Sequence, residues 1–309
     1  MDVLAVVLPV FALIGLGYVA ARMGLIAERA GDSLGDYVFA LAVPVLIFKA
    51  LSESTADMTA SPWGYWISYF TAAAIVWTAG SVLARRVFHR DAREAVVHGF
   101  CSAQSNTVFL GIPLILQAYG EAGAVPLFLL LAIHLPLMMG VASLLIEGAD
   151  RKAGGFRLLP LLRTLATHPI LLALLAGLLA QLFDVQAPAW MNTVLDPLAA
   201  SASPVALVAM GLALARYGFR SAPGPAAVSV ALKLIVHPFL VYLFAAHVFG
   251  LDPVFTGVAV LFAALPSGVN GYLLALRYRT GERLASNAIS AGTVLSVVTV
   301  SICLYLLGS

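Results

Sequence analysis

Charged side chains are scarce in this sequence, where Lys, Arg, Asp and Glu make up 10% of 309 residues and 61% are hydrophobic. A water-soluble domain covers itself with roughly 25% charged residues, so most of this surface is expected to face lipid. Cysteine is nearly absent. Cys101 and Cys303 stand alone in apolar runs, which excludes a disulfide framework and a CxxC metal motif. The histidines His89, His98, His134, His168 and His247 show no ligand spacing, so no metal site is expected, nor any cofactor. No Gly-rich loop ends in Lys-Ser/Thr, so nothing points to ATP hydrolysis. The basic residues are scattered, which argues against nucleic acid as a partner. Met1-Asp2 precedes the first apolar run without a basic n-region or a small-residue cleavage site, so that run is read as a retained span.

What the sequence has is long apolar runs. A helix needs about 20 apolar residues to cross a hydrocarbon core of about 30 Å. Runs at 3–21, 33–52, 63–84, 94–118, 122–146, 167–183, 193–215, 225–249, 253–278 and 284–307 predict an all-α polytopic membrane protein of about ten spans. The connections alternate in charge. Arg22 and Arg29 follow the first span, Arg85, Arg86, Arg90 and Arg93 the third, and Arg151, Lys152, Arg157 and Arg163 the fifth. Arg216 and Arg220 follow the seventh, and Arg277, Arg279 and Arg283 the ninth. These five groups hold 15 of the 17 basic residues; the other two, Lys49 and Lys233, lie within apolar runs, and the even connections hold none. The positive-inside rule then places the odd connections in the cytoplasm and both termini outside.

The basic connection Glu147–His168 divides the runs five and five, and an odd number per half implies opposite orientations. The domain expectation is a first repeat at 1–146, a short cytoplasmic linker at 147–166 and a second repeat at 167–309. At an offset of 160, Asp36, Ala40, Ala42, Pro44 and Val45 fall on Asp196, Ala200, Ala202, Pro204 and Val205. Inverted repeats are an architecture of secondary transporters.

Spans four and nine carry the chemistry. Gln104-Ser105-Asn106-Thr107, with Gly111 and Pro113 beyond, interrupts the fourth; Pro266-Ser267-Gly268, with Asn270, interrupts the ninth. Proline deletes a helical hydrogen bond, and freed backbone groups at membrane depth must face protein or a wet cavity. Matched broken helices therefore mark a candidate site, where N–H groups and the positive dipole end suit an anion. Asn106 and Asn270 can donate and accept there. The bland reading is that Gly, Pro and Asn simply serve packing in membrane helices.

Lys233 and His237 lie one turn apart inside the eighth span. Lys233 is read as a counter-charge to a substrate carboxylate or to Asp36 or Asp196, the alternative being a structural amine on freed carbonyls. His237 precedes Pro238 and is a candidate proton relay or a partner of a freed carbonyl. Asp36 and Asp196 are read first as helix caps, with a protonatable or charge-relay role open. Lys49 is expected to snorkel.

The stretches SNTVFLGIPLILQAYGEAG, LPSGVNGYLLALRY, LKLIVHP and PVFALIGLGYVAARMGLI resemble the auxin efflux carrier family, in order and along essentially the whole chain. The resemblance implies a bacterial inner-membrane organic-acid permease of the malonate or malate type, with two inverted five-helix repeats and crossing broken helices. It also implies a scaffold of spans one, two, six and seven that forms a homodimer, and a transport domain of the remaining spans that moves like an elevator. The substrate implied is a small mono- or dicarboxylate. A sodium-coupled carrier of the bile-acid type is the alternative, weakened because the ninth span has no acid before Glu282. An intramembrane enzyme would need a convergent catalytic set, and a sensor a soluble output domain; neither is visible.

Overall fold

The computed structural model describes residues 3–27, 29–54, 62–149, 167–185, 187–217 and 223–308. Arg151, Lys152, Arg157, Arg163, Arg220 and most of the expected linker lie outside the described residues. Within them the chain is helical, without strands.

In order the helices are α1 (Val3–Arg22), α2 (Ala30–Ser52), α3 (Trp63–Arg86) and α4 (Ala92–Ala103). Then α5 winds as a π turn over Thr107–Gly111 and as α-helix over Ile112–Tyr119, and α6 is Ala124–Ala149. The second half holds α7 (Pro169–Leu182), α8 (Ala189–Tyr217), α9 (Gly224–Val248), α10 (Pro253–Ala264), α11 (Val269–Tyr278) and α12 (Glu282–Leu307). Length and hydropathy qualify seven stretches as spans, or eight if α10 and α11 form one span bent by 47°. The stretch Ala92–Ala149 counts once there, although it breaks after α4. With 14 residues α7 covers about 21 Å at 1.5 Å per residue, short of the hydrocarbon core. The chain is a multi-span membrane protein, and these criteria give fewer spans than the ten expected.

Local sequence explains the helix ends and irregularities. Asp91 caps α4 by accepting from the Glu94 amide at 2.8 Å, and Asp252 caps α10 by accepting from Val254 at 2.8 Å, with Pro253 at the first turn. Asp36 and Asp196 are not caps. Each lies well inside its helix, because α2 begins at Ala30 and α8 at Ala189. Three π turns, Val38–Ala42, Thr107–Gly111 and Leu232–Val236, each end two residues before a proline: Pro44, Pro113 and Pro238. A proline cannot bond the carbonyl four residues back and its ring crowds that oxygen. Widening the turn relieves both.

Packing follows the small residues. Gly17 of α1 rests on the backbone of Val208 in α8, and Gly211 of α8 faces the backbone of Ile14 and Tyr18, so no side chain larger than hydrogen fits. Gly177 lets α7 approach α2, where an added Cβ would stand 3.0 Å from the Phe48 carbonyl oxygen. Thus α1 pairs with α8, α7 with α2, and α2 with α8; elsewhere α3 pairs with α4 and α9 with α10. Every residue from Ala95 to Ala103 and from Thr256 to Ala264 is buried, so α4 and α10 form the centre and the other helices surround them.

Candidate functional site

The two interruptions meet. Gln104 leaves α4 in extended conformation (φ −73°, ψ 133°), and Leu265 leaves α10 likewise (φ −61°, ψ 146°). Four hydrogen bonds satisfy freed groups across the gap or within it. The Asn106 amide donates to the Pro266 carbonyl at 2.8 Å, and the Gly268 amide donates to Gln104 Oε1 at 2.8 Å. Gln104 Nε2 donates to the Ser105 carbonyl at 2.7 Å, and the Gly111 amide donates to the Asn106 carbonyl at 3.0 Å. Gln104 thus spans both segments, a role the sequence reading did not give it. Gly268 is required at the crossing, since a Cβ there would lie 3.0 Å from Asn106 Cα. Gly111 lies under the Leu265 side chain, and Pro113, Pro266 and Ser267 are buried around the breaks.

One cavity of about 330 Å³ opens beside the crossing. Its lining includes Asn106 and Thr107 where α5 starts, Val269 and Asn270 where α11 starts, Asp36 on α2, and Arg216 on α8. Both helices that leave the breaks therefore direct their first turns at it. The first amides of a helix have no carbonyl within that helix, and together they carry a partial positive charge. Asn106 is 3% exposed and its Nδ2 donates to Met210 Sδ at 3.2 Å. Arg216 Nη1 pairs with Asp32 Oδ2 at 2.6 Å at the rim of the same cavity. Asp32, Arg216 and Tyr272 were not foreseen as lining residues.

Of the expected site residues, Asn106, Thr107, Asn270 and Asp36 share this cavity, and Gly111, Pro113, Pro266, Ser267 and Gly268 shape the breaks beside it. Lys233 and His237 do not line it. The Lys233 amine donates to the Ala263 carbonyl at the end of α10 and stands 3.2 Å from His237 Nδ1. It is 1% exposed and makes no ion pair with Asp36 or Asp196. Tyr69 packs its ring on His237, His134 and Phe262 and places its hydroxyl 3.1 Å from Ser105 Oγ. Asp196 lies at the other end of the α2–α8 pair, 2.7 Å from Lys49 Nζ. Lys49 is thus held in an ion pair.

Comparison with known proteins gives the family. The family model for membrane transport proteins matches residues 2–155 and 156–304. A protein of Rhizobium meliloti (strain 1021) named "Putative malonate transporter" is 32% identical over 324 residues, covering 100% of this chain and 97% of that protein. "Uncharacterized transporter YfdV" of Escherichia coli (strain K12) is 24% identical, covering 96% of this chain and 95% of that protein. The "Lysosomal cholesterol signaling protein" of Mus musculus is 27% identical over 250 residues, which is 74% of this chain and 28% of that protein.

Proposed function

This chain belongs to the membrane transport protein family, the auxin efflux carriers, and we propose that it is a secondary carrier of small organic anions. Its family is one of transporters and not of enzymes. The observation that carries the anion reading is the single cavity receiving the first turns of both α5 and α11, with Asn106, Asn270 and Arg216 on its walls. Two helix N-termini add positive potential to that of Arg216, and the amides orient a carboxylate by hydrogen bonding. A cavity of about 330 Å³ suits a short mono- or dicarboxylate. The malonate named for the Rhizobium relative belongs to that class. Asp36 shares the wall, and a carboxylate entering beside it is favoured when Asp36 holds a proton. That makes Asp36 the candidate for proton coupling.

The mechanism we propose is an elevator. Counting α4 with α5 and α10 with α11 as single broken spans gives ten spans in two inverted halves. The helix pairings support this. Exchanging span one with six and two with seven turns the α1–α8 pair into the α7–α2 pair, and the same exchange relates α3–α4 to α9–α10. The scaffold is α1, α2, α7 and α8, through which the protein forms a homodimer; the transport domain is α3–α6 with α9–α12. The termini lie on the periplasmic side of the inner membrane.

Proteoliposomes given labelled malonate, malate, succinate, lactate or indole-acetate, with potential and pH gradients imposed separately, test the reading. Saturable uptake of one acid is expected. Uptake of none overturns the anion assignment, and uptake that requires sodium favours a cation-coupled carrier of the bile-acid type.

A further inference from the structure

The wall that α2 and α8 give to the cavity has a counterpart at the far end of the same two helices. On the cavity side the wall carries Asp32 and Asp36 from α2, and Ala213 and Arg216 from α8, with Ala209 one turn earlier. The offset of 160, which aligns Asp36 and Pro44 with Asp196 and Pro204, sends Asp32 to Asn192 and Asp36 to Asp196. In the other direction it sends Ala209 to Lys49 and Ala213 to Glu53.

These four images form one cluster. Lys49 Nζ lies 2.6 Å from Glu53 Oε1, 2.7 Å from Asp196 Oδ1 and 3.2 Å from Asn192 Oδ1. Asp196 is one of the residues that define the offset, but Lys49, Glu53 and Asn192 are not, so their convergence on it is independent support. The side-chain composition is also repeated, with the cation on the other helix, since the offset sends Arg216 to Ala56 and Lys49 to Ala209. Each wall carries one cation and two carboxylates: Arg216 with Asp32 and Asp36, then Lys49 with Asp196 and Glu53. In each the cation is already held by an acid, Arg216 by Asp32 at 2.6 Å and Lys49 by Asp196 at 2.7 Å. The acids are open to solvent, with the Asp32 side chain 70% exposed and that of Asp196 60% exposed. An arriving carboxylate can therefore displace an acid from the cation instead of desolvating a bare charge.

We propose that Lys49, Glu53, Asn192 and Asp196 are the scaffold wall of the substrate site when it faces the other side of the membrane. Lys49 there meets the substrate carboxylate that Arg216 meets in the present state. This rests on the carrier reading above and adds to it a residue set for the second face. A cluster that only fastened α2 to α8 would serve stability alone.

The test uses the full chain with Cys303→Ser, leaving the buried Cys101, in membrane vesicles treated with a membrane-impermeant maleimide. Asp36→Cys and Asp196→Cys are expected to be labelled from opposite faces, with malonate slowing both reactions. Adding Lys49→Gln should raise the malonate concentration that half-protects Asp196→Cys about tenfold, and that for Asp36→Cys less than about twofold, with Lys49→Arg restoring the first. Labelling of both cysteines from one face overturns the proposal. So does a Lys49→Gln effect that is equal at both positions, or one confined to thermal stability. Opposite-face labelling needs no substrate. It checks the geometry alone; the wall is decided by the unequal Lys49→Gln effect on malonate protection, whereas uptake of none of the tested acids by the wild type overturns the anion assignment.

Discussion

The backbone amide of Asn106 donates to the carbonyl of Pro266 at 2.8 Å, which ties the break in one half of the chain to the break in the other. Neither interruption can move without the other, and both begin their second helices at the same cavity.

Removing the amides at that cavity should cost affinity more than structure. Asn106→Ala and Asn270→Ala are each expected to lower kcat/KM for the transported acid about tenfold or more, equivalent to one hydrogen bond to a charged group. Thermal unfolding of the purified variants should stay near the wild-type Tm. Variants that transport normally would place the acid elsewhere.

Gly268→Ala tests the crossing itself. The new methyl would sit 3.0 Å from Asn106 Cα and 3.1 Å from the Gln104 amide, so backbone must shift. A destabilisation of about 1–3 kcal/mol is expected, seen as a lower Tm together with loss of uptake. An unchanged Tm would mean that the two breaks are not held in this contact.

Lys233→Met separates the two roles open to a buried amine. The Lys233 amine donates to the Ala263 carbonyl, and its loss leaves that oxygen buried without this donor at the end of α10. The expected cost is about 1–3 kcal/mol, read as a fall in Tm, with a smaller effect on KM. A raised KM at unchanged Tm would return Lys233 to the substrate.

Asp36→Asn addresses proton coupling. A charged acid on the wall repels an entering carboxylate, and a protonated one does not. Asp36→Asn is therefore expected to keep exchange of the acid across the membrane while losing the stimulation of net uptake by an imposed pH gradient. Stimulation retained in the variant would remove Asp36 from the coupling step. Asp32 and Arg216, which share the rim as an ion pair, would then be the groups to vary.

The breaks were legible in the sequence because Gly, Pro and Asn interrupt otherwise apolar runs, and Asn106 and Asn270 do reach one cavity. Arg216 was not legible as a lining residue, since by composition it ends an apolar run like any loop arginine. Its place depends on where α8 crosses α2, which local sequence does not encode. The helix starts were misjudged for a related reason. The second span was started at 33, which left Asp32 in a connection, yet α2 begins at Ala30, with Asp32 and Asp36 lining the cavity rather than facing lipid. The same error made caps of Asp36 and Asp196. Lys233 was visible as an anomaly, but its partner Ala263 comes from another helix and its role could not be fixed from spacing. The span count falls short of ten because the 14 residues of α7 miss the length criterion and because Ala92–Ala149 counts as one stretch.

The π turn at Val38–Ala42 has a consequence for phase. It inserts one residue relative to an α-helix, so the two halves of α2 differ in angular register by about 100° from what their sequence spacing implies. Asp36 before the turn and Lys49 after it are therefore aimed independently of the apolar periodicity that joins them. Rewinding that single turn would swing Lys49 about 100° around the axis while Asp36 stayed in place, which makes the turn a pivot between the two ends of one helix.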